Sequence, residues 1–374
     1  MKVLFVSNDP SILVPESAAR ARMKEYASAI GTLYIVTPSK NGQEVHEESL
    51  HIYGIVCSKL TRTRALAQKA HQLIVAEGIE IVSAQDPFEH GLAALKAVEG
   101  TAAKLHIQLH TDFLSRWFTR SGNFRSPKVP MPFLNTVRRR MADKVLPQAS
   151  GIRVVSSRLR VSLIEQYGKR IVDPIVIPVA VSTELPVPVR LPSHPFTFAL
   201  ITVGRLEPEK RIEDILAALA LIRDAYPAVG LFVVGEGSER ARLQRMSKEK
   251  GLEQRVIFTG ERPDAIALMQ GAQAYIQASA FEGYGRTLIE AALARIPIIT
   301  TDVGIVGEVF RGYEDVLSAP VGDPAALAAH MRALVEDSGA RTELAMHAQE
   351  SAKKHLMETD SSPQAIASDL ARLI

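Results

Sequence analysis

The sequence of 374 residues has one cysteine, few aromatic residues (6%) and no long apolar run. The single Cys57 excludes an internal disulfide framework and any zinc site built from several cysteines. Glycine and proline number 23 and 21, too few for a fibrous or low-complexity chain. No stretch approaches the roughly 18 apolar residues of a membrane span, and the first ten residues do not resemble a secretory signal. We therefore expect a globular, cytoplasmic protein.

The apolar content is sufficient for two cores, with 47% hydrophobic and 23% charged residues. A length of 374 residues is typical of about two domains. The net charge of +3 conceals an asymmetry. Residues 1–190 hold 25 Lys and Arg against 16 Asp and Glu, whereas the remainder holds 19 against 25. A basic half and an acidic half indicate two domains with different partners.

Short β-branched runs alternate with helical patterns in both halves, which predicts βαβ units with parallel sheets. Residues 183–195 contain four prolines and predict an extended linker. The expected fold class is α/β, with Rossmann-like, doubly wound domains at residues 1–182 and 196–355 and a C-terminal helix at 356–374. Because parallel sheets bind ligands at the carboxyl ends of their strands, we expect these ends to face each other across a cleft. Two independent domains with separate roles are the alternative.

The densest group of candidate functional residues follows a predicted strand at 274–277 and opens a helix. Gly283 and Gly285 allow the backbone to approach a ligand, and the helix N-terminus beyond them attracts anions. Glu282 and Glu290 are suited to sugar or ribose hydroxyls, because each carboxylate accepts two hydrogen bonds. A surface loop in which Arg286 and Glu290 form an i,i+4 ion pair is the alternative.

A second group, Gly204, Arg205 and Lys210, also lies between a predicted strand and a helix. Two cations at one strand end can bind a pyrophosphate and stabilise the charge of a leaving diphosphate. Local pairing with Glu207 and Glu209 on a solvated turn is the alternative.

Two weaker candidates complete the list. Gly235-Glu236-Gly237 is similar to half of a dinucleotide fingerprint, but Arg240 stands where the third glycine belongs. His110, beside Asp112, ends a predicted strand of the first domain, where it can contact substrate or serve only the structure. The sequence contains no Asp-x-Asp, no P-loop and no Gly-x-Ser-x-Gly motif.

In combination, these segments resemble the family 4 retaining glycosyltransferases of the GT-B fold, also described as glycosyltransferase group 1. The resemblance covers residues 198–335, where the motifs occur in the order of the family. It is carried by Gly204-Arg205 with Lys210, Gly235-Glu236-Gly237, residues 258–262, the Glu282/Glu290 pair with residues 290–299, and Gly322-Asp323-Pro324. The first domain matches more loosely, through residues 3–7, His110 and residues 154–157.

The resemblance implies a role for each matching residue. Arg205 and Lys210 would hold the diphosphate of a nucleotide-diphospho-sugar, and Glu290 its ribose hydroxyls. Glu282 and the backbone of residues 283–285 would hold the sugar, Arg262 would flank the base, and His110 would approach the sugar from the first domain. The implied donor contacts are Gly204, Arg205, Lys210, Arg262, Phe281, Glu282, Gly283, Tyr284, Gly285, Arg286, Thr287 and Glu290. The implied catalytic residues are His110, Glu282, Arg205 and Lys210.

The resemblance further implies transfer of a hexose with retention, from a UDP- or GDP-linked donor to a glycan or lipid-linked acceptor, for a surface polysaccharide. It implies no metal and no cofactor besides the donor. The C-terminal helix is expected to return to the first, acceptor-side domain. The alternatives are a GT-B sugar-nucleotide epimerase or phosphorylase, and a non-catalytic protein that binds glycan or acts as a scaffold at a membrane.

The positive charge of the first domain is concentrated in residues 113–160, with 11 basic residues and one acid, Asp143. Basic residues interleaved with Trp117, Phe118 and Phe124 suit an anionic membrane surface or a lipid-phosphate acceptor. This pattern predicts peripheral contact with the inner face of the membrane. A solvated helix face is an equal alternative, and single-stranded nucleic acid is a weaker one.

Overall fold

A computed structural model describes residues 1–119 and 131–374, and their side chains except those of residues 131 and 132. In chain order, the strands of the first half are β1 (Lys2–Val6), β2 (Thr32–Ser39), β3 (Glu44–Glu47), β4 (Leu50–Val56), β5 (Ile81–Ala84), β6 (Lys104–Leu109), β7 (Gly151–Val154) and β8 (Ile175–Val176). Those of the second half are β9 (Phe198–Val203), β10 (Val229–Val234), β11 (Val256–Gly260), β12 (Ala274–Ile276), β13 (Ile298–Thr301) and β14 (Leu317–Ala319).

Helices connect most of these strands, as the alternating pattern predicts. The first half contains α1 (Ala18–Ile30), α2 (Arg62–Glu77), α3 (Glu89–Val98), α4 (Met131–Val145) and α5 (Ser157–Tyr167). The second half contains α6 (Ile212–Ile222), α7 (Arg240–Glu249), α8 (Ala265–Met269), α9 (Arg286–Leu293), α10 (Pro324–Glu336), α11 (Ser338–Glu358) and α12 (Pro363–Ala371).

Among the described residues, the first eight strands form one sheet in the order β3-β4-β2-β1-β5-β6-β7-β8. All its pairs are parallel except β3 with β4, a hairpin that the pattern analysis did not predict. The last six strands form a second, wholly parallel sheet in the order β11-β10-β9-β12-β13-β14. The sequence-based prediction of two Rossmann-like α/β domains is confirmed.

Each sheet is covered by its own apolar core. In the first, the inward residues of β1 and β2 pack against α1 and against Ile366 and Leu370 of α12. In the second, α6 and α10 share one core with β9 and β10, and every residue of β10, Val229–Val234, is buried. Continuous apolar strands of this kind are typical of parallel sheets covered on both faces.

The chain divides into two compact units whose limits differ from the expected domains. The first unit comprises Met1–Leu114, Phe133–Pro178 and Asp360–Ile374; the second comprises Ser115–Pro132 and Val179–Thr359. Residues 115–119 thus belong to the second unit rather than the first, because Phe118 packs against Phe281. The second unit also extends past residue 355, because α11 continues unbroken to Glu358.

The proline-rich stretch is extended, as predicted, but it is attached to the second unit over part of its length. The backbone N–H of Val189 donates to the carbonyl of Ala267 at 3.3 Å. The side chain of Gln270 donates to the carbonyl of Pro186 at 2.8 Å. These bonds fasten residues 186–189 to α8 and the turn after it.

Of the aromatic residues predicted to contact a membrane, the two that the structure describes, Trp117 and Phe118, pack at least partly against protein. Phe113 and Phe118 are buried, as is Arg153, and Trp117 is half-buried. Arg120, Phe124 and Arg125 lie outside the described residues. The exposed basic side chains that can be described in this segment include Arg116, Arg140 and Lys144. In the described part of the chain, no helix is long and apolar enough to cross a membrane.

Candidate active site

The second unit has a small recess at the carboxyl ends of β9 and β12, which are neighbours in its sheet. Its lining comes from the end of β9, the loop that follows it, the start of α6, the end of β10 and the residues after β12. These are Thr202, Val203, Gly204, Arg205, Lys210, Ile212, Val234, Gln277, Ala278 and Ser279. The two strand-end segments singled out in the sequence therefore meet at one edge of the sheet, where parallel sheets bind ligands.

Lys210 and Glu282 form an ion pair across this edge. Lys210 Nζ lies 2.5 Å from Glu282 Oε1, and Ser279 Oγ donates to the same oxygen at 2.8 Å. A backbone bond from Ala280 N–H to the carbonyl of Glu209, 2.7 Å long, ties the two loops together. Both side chains are largely shielded from water, which strengthens their attraction relative to a surface pair. An anion entering the recess would compete with Glu282 for the lysine ammonium.

Arg205 also lines the recess, but it pairs with Glu209 rather than with Glu282. Its guanidinium donates to Glu209 Oε1 at 3.2 Å, and the side chain is 74% exposed. The alternative predicted from the sequence, pairing of the two cations with Glu207 and Glu209, is therefore correct for Arg205 and wrong for Lys210. An exposed i,i+4 pair of this kind contributes little stability, so a ligand can displace it at small cost.

Glu290 is held by Arg286 on the first turns of α9. Arg286 Nε donates to Glu290 Oε1 at 2.7 Å, and the glutamate side chain is only 9% exposed. Burial raises the pKa of Glu290, and the charge of Arg286 opposes this shift. The i,i+4 ion pair foreseen as the alternative is thus formed, but around a buried carboxylate rather than on an open surface.

Gln277 is a polar residue of the recess that the motif analysis missed. Its Oε1 accepts hydrogen bonds from Tyr275 Oη at 3.2 Å and from Thr287 Oγ1 at 3.1 Å. Within the described residues, its buried Nε2 has no hydrogen-bond partner, and the residue lines the recess. A lone glutamine has no spacing signal; the one clue is that it directly follows the buried strand β12.

The loop of residues 281–285 is anchored to the protein interior by its own aromatic side chains, Phe281 and Tyr284. Phe281 is buried and packs edge-to-face on Phe118, with ring centroids 5.5 Å apart. Tyr284 is buried, and its hydroxyl bonds His355 Nε2 of α11 at 2.8 Å. Burial raises the pKa of Tyr284. The two aromatic side chains therefore pack against protein, which leaves the backbone and Glu282 as the loop's groups for a ligand.

Glycines bring three strand-end loops into backbone contact. Gly204 N–H donates to the carbonyl of Val234 at 3.0 Å, and Gly235 N–H to that of Gly260 at 2.8 Å. A Cβ atom at Gly235, whose φ is +137°, would lie 1.9 Å from the carbonyl oxygen of Gly204. Close packing of backbones thus accounts for Gly235 without any dinucleotide.

Gly235→Ala is expected to destabilise the second unit by about 2–4 kcal/mol, because the new methyl group collides with backbone that cannot rotate away. Urea denaturation followed by circular dichroism measures the loss. Gly251→Ala is the matched control: its φ is also positive, at +67°, but its Cβ would meet only the flexible end of Arg223. Equal losses in the two variants would contradict the steric argument.

Two further predicted site residues lie elsewhere. Arg262 follows β11 and is exposed, with a bidentate bond to Asp264 at 2.7 and 2.6 Å. His110 belongs to the first unit, at the end of β6, where its Nε2 lies 3.4 Å from Gln108 Oε1. Burial of the imidazole among protein atoms and the positive charge of Arg153 lower the pKa of His110, although the residue as a whole is exposed to solvent. The histidine is therefore neutral at pH 7.

Part of the chain matches a known family, and the whole chain shares its fold with solved structures. Residues 194–355 match the model of the family described as glycosyl transferases group 1. This part of the chain is a glycosyltransferase group 1 domain, and the two Rossmann-like units are the fold of GT-B glycosyltransferases.

Curated relatives match part of the chain. The glycogen synthase of Mycobacterium tuberculosis is 35% identical over 144 residues, which cover 38% of this chain and 34% of that protein. The GtfA subunit of a UDP-N-acetylglucosamine–peptide N-acetylglucosaminyltransferase from Streptococcus gordonii is 27% identical over 214 residues, 54% of this chain and 42% of that protein. The chain thus spans less than half the length of these curated relatives.

Solved structures extend the likeness over the whole chain at the level of the fold. Sucrose-phosphate synthase from Thermosynechococcus elongatus superposes with a TM-score of 0.78 at 18% identity, covering 100% of this chain and 98% of that one. Anabaena HepE in complex with UDP-glucose superposes with a TM-score of 0.74 at 20% identity, with coverage of 100% and 98%.

Proposed function

We propose that the chain is a family 4 retaining glycosyltransferase that moves a hexose from a nucleotide-diphospho-sugar to a glycan or lipid-linked acceptor without a metal ion. The observation that carries this proposal is the Lys210–Glu282 ion pair beside a strand-end recess of a glycosyltransferase group 1 domain. The pair provides a cation for a diphosphate and a carboxylate for a sugar at one place.

In this proposal the diphosphate enters the recess and forms an ion pair with Lys210, which replaces the Lys210–Glu282 pair. Arg205 swings from Glu209 to add a second positive charge, and the unpaired amide of Gln277 donates to a phosphate oxygen. Charge-assisted bonds of this kind stabilise the negative charge that develops as the diphosphate leaves. The bond from the anomeric carbon to the diphosphate oxygen breaks as the acceptor oxygen bonds the same face. The acceptor proton passes to a phosphate oxygen.

Two carboxylates, Glu282 and Glu290, then bind hydroxyl groups of the donor. Glu282, released from Lys210, accepts from the donor sugar, together with the backbone of residues 283–285. Glu290 accepts from the ribose, and Arg262 lies beside the base. The neutral His110 is the proposed sugar contact from the first unit.

The proposed donor is linked to UDP or GDP. A UDP sugar is supported by the names of two relatives, one solved with UDP-glucose and one named for UDP-N-acetylglucosamine. A polysaccharide acceptor is supported by the glycogen synthase relative and by lipopolysaccharide core glycosyltransferases of Rhizobium meliloti. The exposed basic side chains of α4 support action in the cytoplasm, at an anionic membrane surface.

Thermal stabilisation by a panel of UDP, GDP, ADP, TDP and CMP, each with and without EDTA, tests the donor site. A ligand at 100 times its Kd adds about 2.7 kcal/mol to the stability of the folded protein. We expect one nucleoside diphosphate to raise the melting temperature clearly, with no effect of EDTA, and Arg205→Ala to reduce the shift. Sugar transfer from the matching donor, with the product anomer assigned by NMR, then tests retention.

Each part of the proposal can fail separately. A shift that EDTA removes would overturn metal independence, and an inverted anomer would overturn retention. The absence of any shift at millimolar nucleotide would overturn the donor site and favour the non-catalytic scaffold.

Gln277→Glu is expected to weaken nucleotide binding at least about tenfold, since the variant replaces an amide donor in the recess with a carboxylate that repels the diphosphate. The change keeps an acceptor oxygen for Tyr275 and Thr287 but places a carboxylate at a position only 5% exposed, so the melting temperature without ligand is expected to fall. Affinity is therefore measured at a temperature at which the variant is folded. Gln254→Glu, at an exposed position of the same unit, is the control for the added charge. Unchanged affinity in Gln277→Glu would show that the amide does not meet the ligand.

A further inference from the structure

Residues 115–119 lie against the two loops that hold the Lys210–Glu282 pair. Leu114 ends the first stretch of the first unit, and the chain continues into the second unit at Ser115. Trp117 then reaches Arg211, the residue after Lys210, and Phe118 reaches Phe281, the residue before Glu282. One dipeptide thus touches the immediate neighbours of both members of the ion pair.

The backbone of Arg211, whose side chain contacts Trp117, is strained. Arg211 has φ +47° and ψ +42°, a left-handed conformation that side chains other than glycine adopt at a cost. Its guanidinium is fixed by Asp214, with bonds of 2.6 and 2.9 Å, and lies 5.4 Å from the centre of the Trp117 ring. Strain of this kind persists where surrounding contacts outweigh it. Trp117 also lies close to the backbone at Gly322, where an added Cβ would be 3.6 Å from its ring.

The contact at Phe281 is a buried aromatic pair. The rings of Phe118 and Phe281 meet at 68° with centroids 5.5 Å apart, which is favourable edge-to-face geometry. Phe118 and Phe281 are 4% and 9% exposed. Because Glu282 follows Phe281 directly, the packing of this pair limits how far the carboxylate can move from Lys210.

We propose that Trp117 and Phe118 are positioning residues that hold the β9 and β12 loops together, so that Lys210 and Glu282 are pre-arranged for the diphosphate and the sugar. This inference rests on the proposed function for its ligand. It extends the site to a segment outside residues 194–355, the range that matches the family model. A group 1 domain cut from this chain would accordingly lack part of its own site.

The sequence contains one tryptophan and 8 tyrosines, so fluorescence excited at a wavelength that tyrosine does not absorb reports on Trp117 alone. In Arg211→Gly the guanidinium is lost while the left-handed backbone is relieved, so the variant is expected to fold. We expect its emission to move to longer wavelength and acrylamide quenching to increase. With inorganic pyrophosphate and UDP as probes, we expect Arg211→Gly and Phe118→Ala each to raise Kd about tenfold. Phe118→Leu should recover part of the affinity, because it restores apolar contact with Phe281.

Two variants in the first unit are matched controls. Arg170→Gly removes a guanidinium that lies 5.3 Å from the ring of Tyr167, and Phe133→Ala removes an exposed phenylalanine. Both are expected to keep the emission of Trp117 and the affinity for pyrophosphate at wild-type values. A change as large as that of the test variants would assign the effect to general destabilisation and overturn the proposal.

The outcomes separate this inference from the proposed function. If wild-type protein binds a probe and Arg211→Gly and Phe118→Ala bind it equally well, the positioning role is wrong while the donor site stands. If wild-type protein binds neither probe, the donor site fails, and emission without ligand decides the positioning role. In that case Lys210→Met and Glu282→Gln are each expected to shift the emission of Trp117. An unchanged spectrum in both variants would show that Trp117 does not respond to the Lys210–Glu282 pair and would overturn the positioning role.

Discussion

Lys210→Met is expected to lower pyrophosphate and nucleotide affinity at least about 100-fold, or about 2.7 kcal/mol. The variant loses the only ammonium among the described side chains that line the recess and leaves the Glu282 carboxylate there unpaired. An uncompensated, poorly hydrated carboxylate repels a diphosphate as well as failing to bind it. Isothermal titration calorimetry measures the loss, and Lys248→Met, on the exposed face of α7, is the control of equal chemistry.

Glu282→Gln separates binding from transfer. The change frees Lys210, so pyrophosphate is expected to bind at least as tightly as in wild type. Transfer is expected to fall at least about 100-fold, because the sugar loses a charged acceptor and the transition state loses its alignment. Affinity within threefold of wild type in Lys210→Met, or full transfer in Glu282→Gln, would contradict the roles assigned to the pair.

Asp369→Ala is expected to destabilise the first unit by about 3–5 kcal/mol, the usual cost of removing one partner of a buried ionic network. Asp369 Oδ2 lies 3.2 Å from Nε2 of the fully buried His106, whose Nδ1 bonds Ser83 Oγ at 2.8 Å. The substitution leaves the imidazole without its carboxylate and loosens α12 from the sheet. Urea denaturation at pH 7 measures the change. Asp173→Ala, which removes an exposed partner of Arg160, should cost under about 1 kcal/mol.

The effect of Asp369 depends on pH with a definite sign. Burial alone raises the pKa of this carboxyl, but its bonds and charge interactions with His106 and Arg372 lower it overall. The folded pKa therefore lies below the unfolded value of about 3.9. The stabilisation is complete above that value and is lost as pH falls through the folded pKa. The difference in stability between wild type and Asp369→Ala should shrink below about pH 4; a constant difference down to pH 2 would contradict this assignment.

The alternation of strands and helices was sufficient to predict both parallel sheets and to place the candidate residues at strand ends. It was insufficient to predict which strand ends meet. Lys210 and Glu282 are 72 positions apart, and they touch because β12 lies beside β9 although β10 and β11 intervene in the sequence. Sheet order of this kind depends on the packing of the whole unit, which no local pattern encodes.

The composition of the basic segment did not predict which of its aromatic residues are buried. Phe118 is surrounded by protein, yet it lies between Arg116 and Arg120 as an aromatic residue of a membrane-binding motif would. Gln277 was missed for a related reason, since a single polar residue gains meaning only from the hydroxyl groups of Tyr275 and Thr287 around it. The chemistry of these positions is defined by neighbours distant in sequence.

The position of α12 has a consequence for synthesis. Its residues Ile366 and Leu370 complete the core around β1 and β2, but they follow β8 by about 190 positions. At 5–20 residues per second, a ribosome needs about 10–40 s to cover that distance. During this time the first unit has been synthesised except for α12. The apolar surface that Ile366 and Leu370 later cover is exposed to chaperones and to other nascent chains. The unit that is translated first is thus the last to reach its final fold.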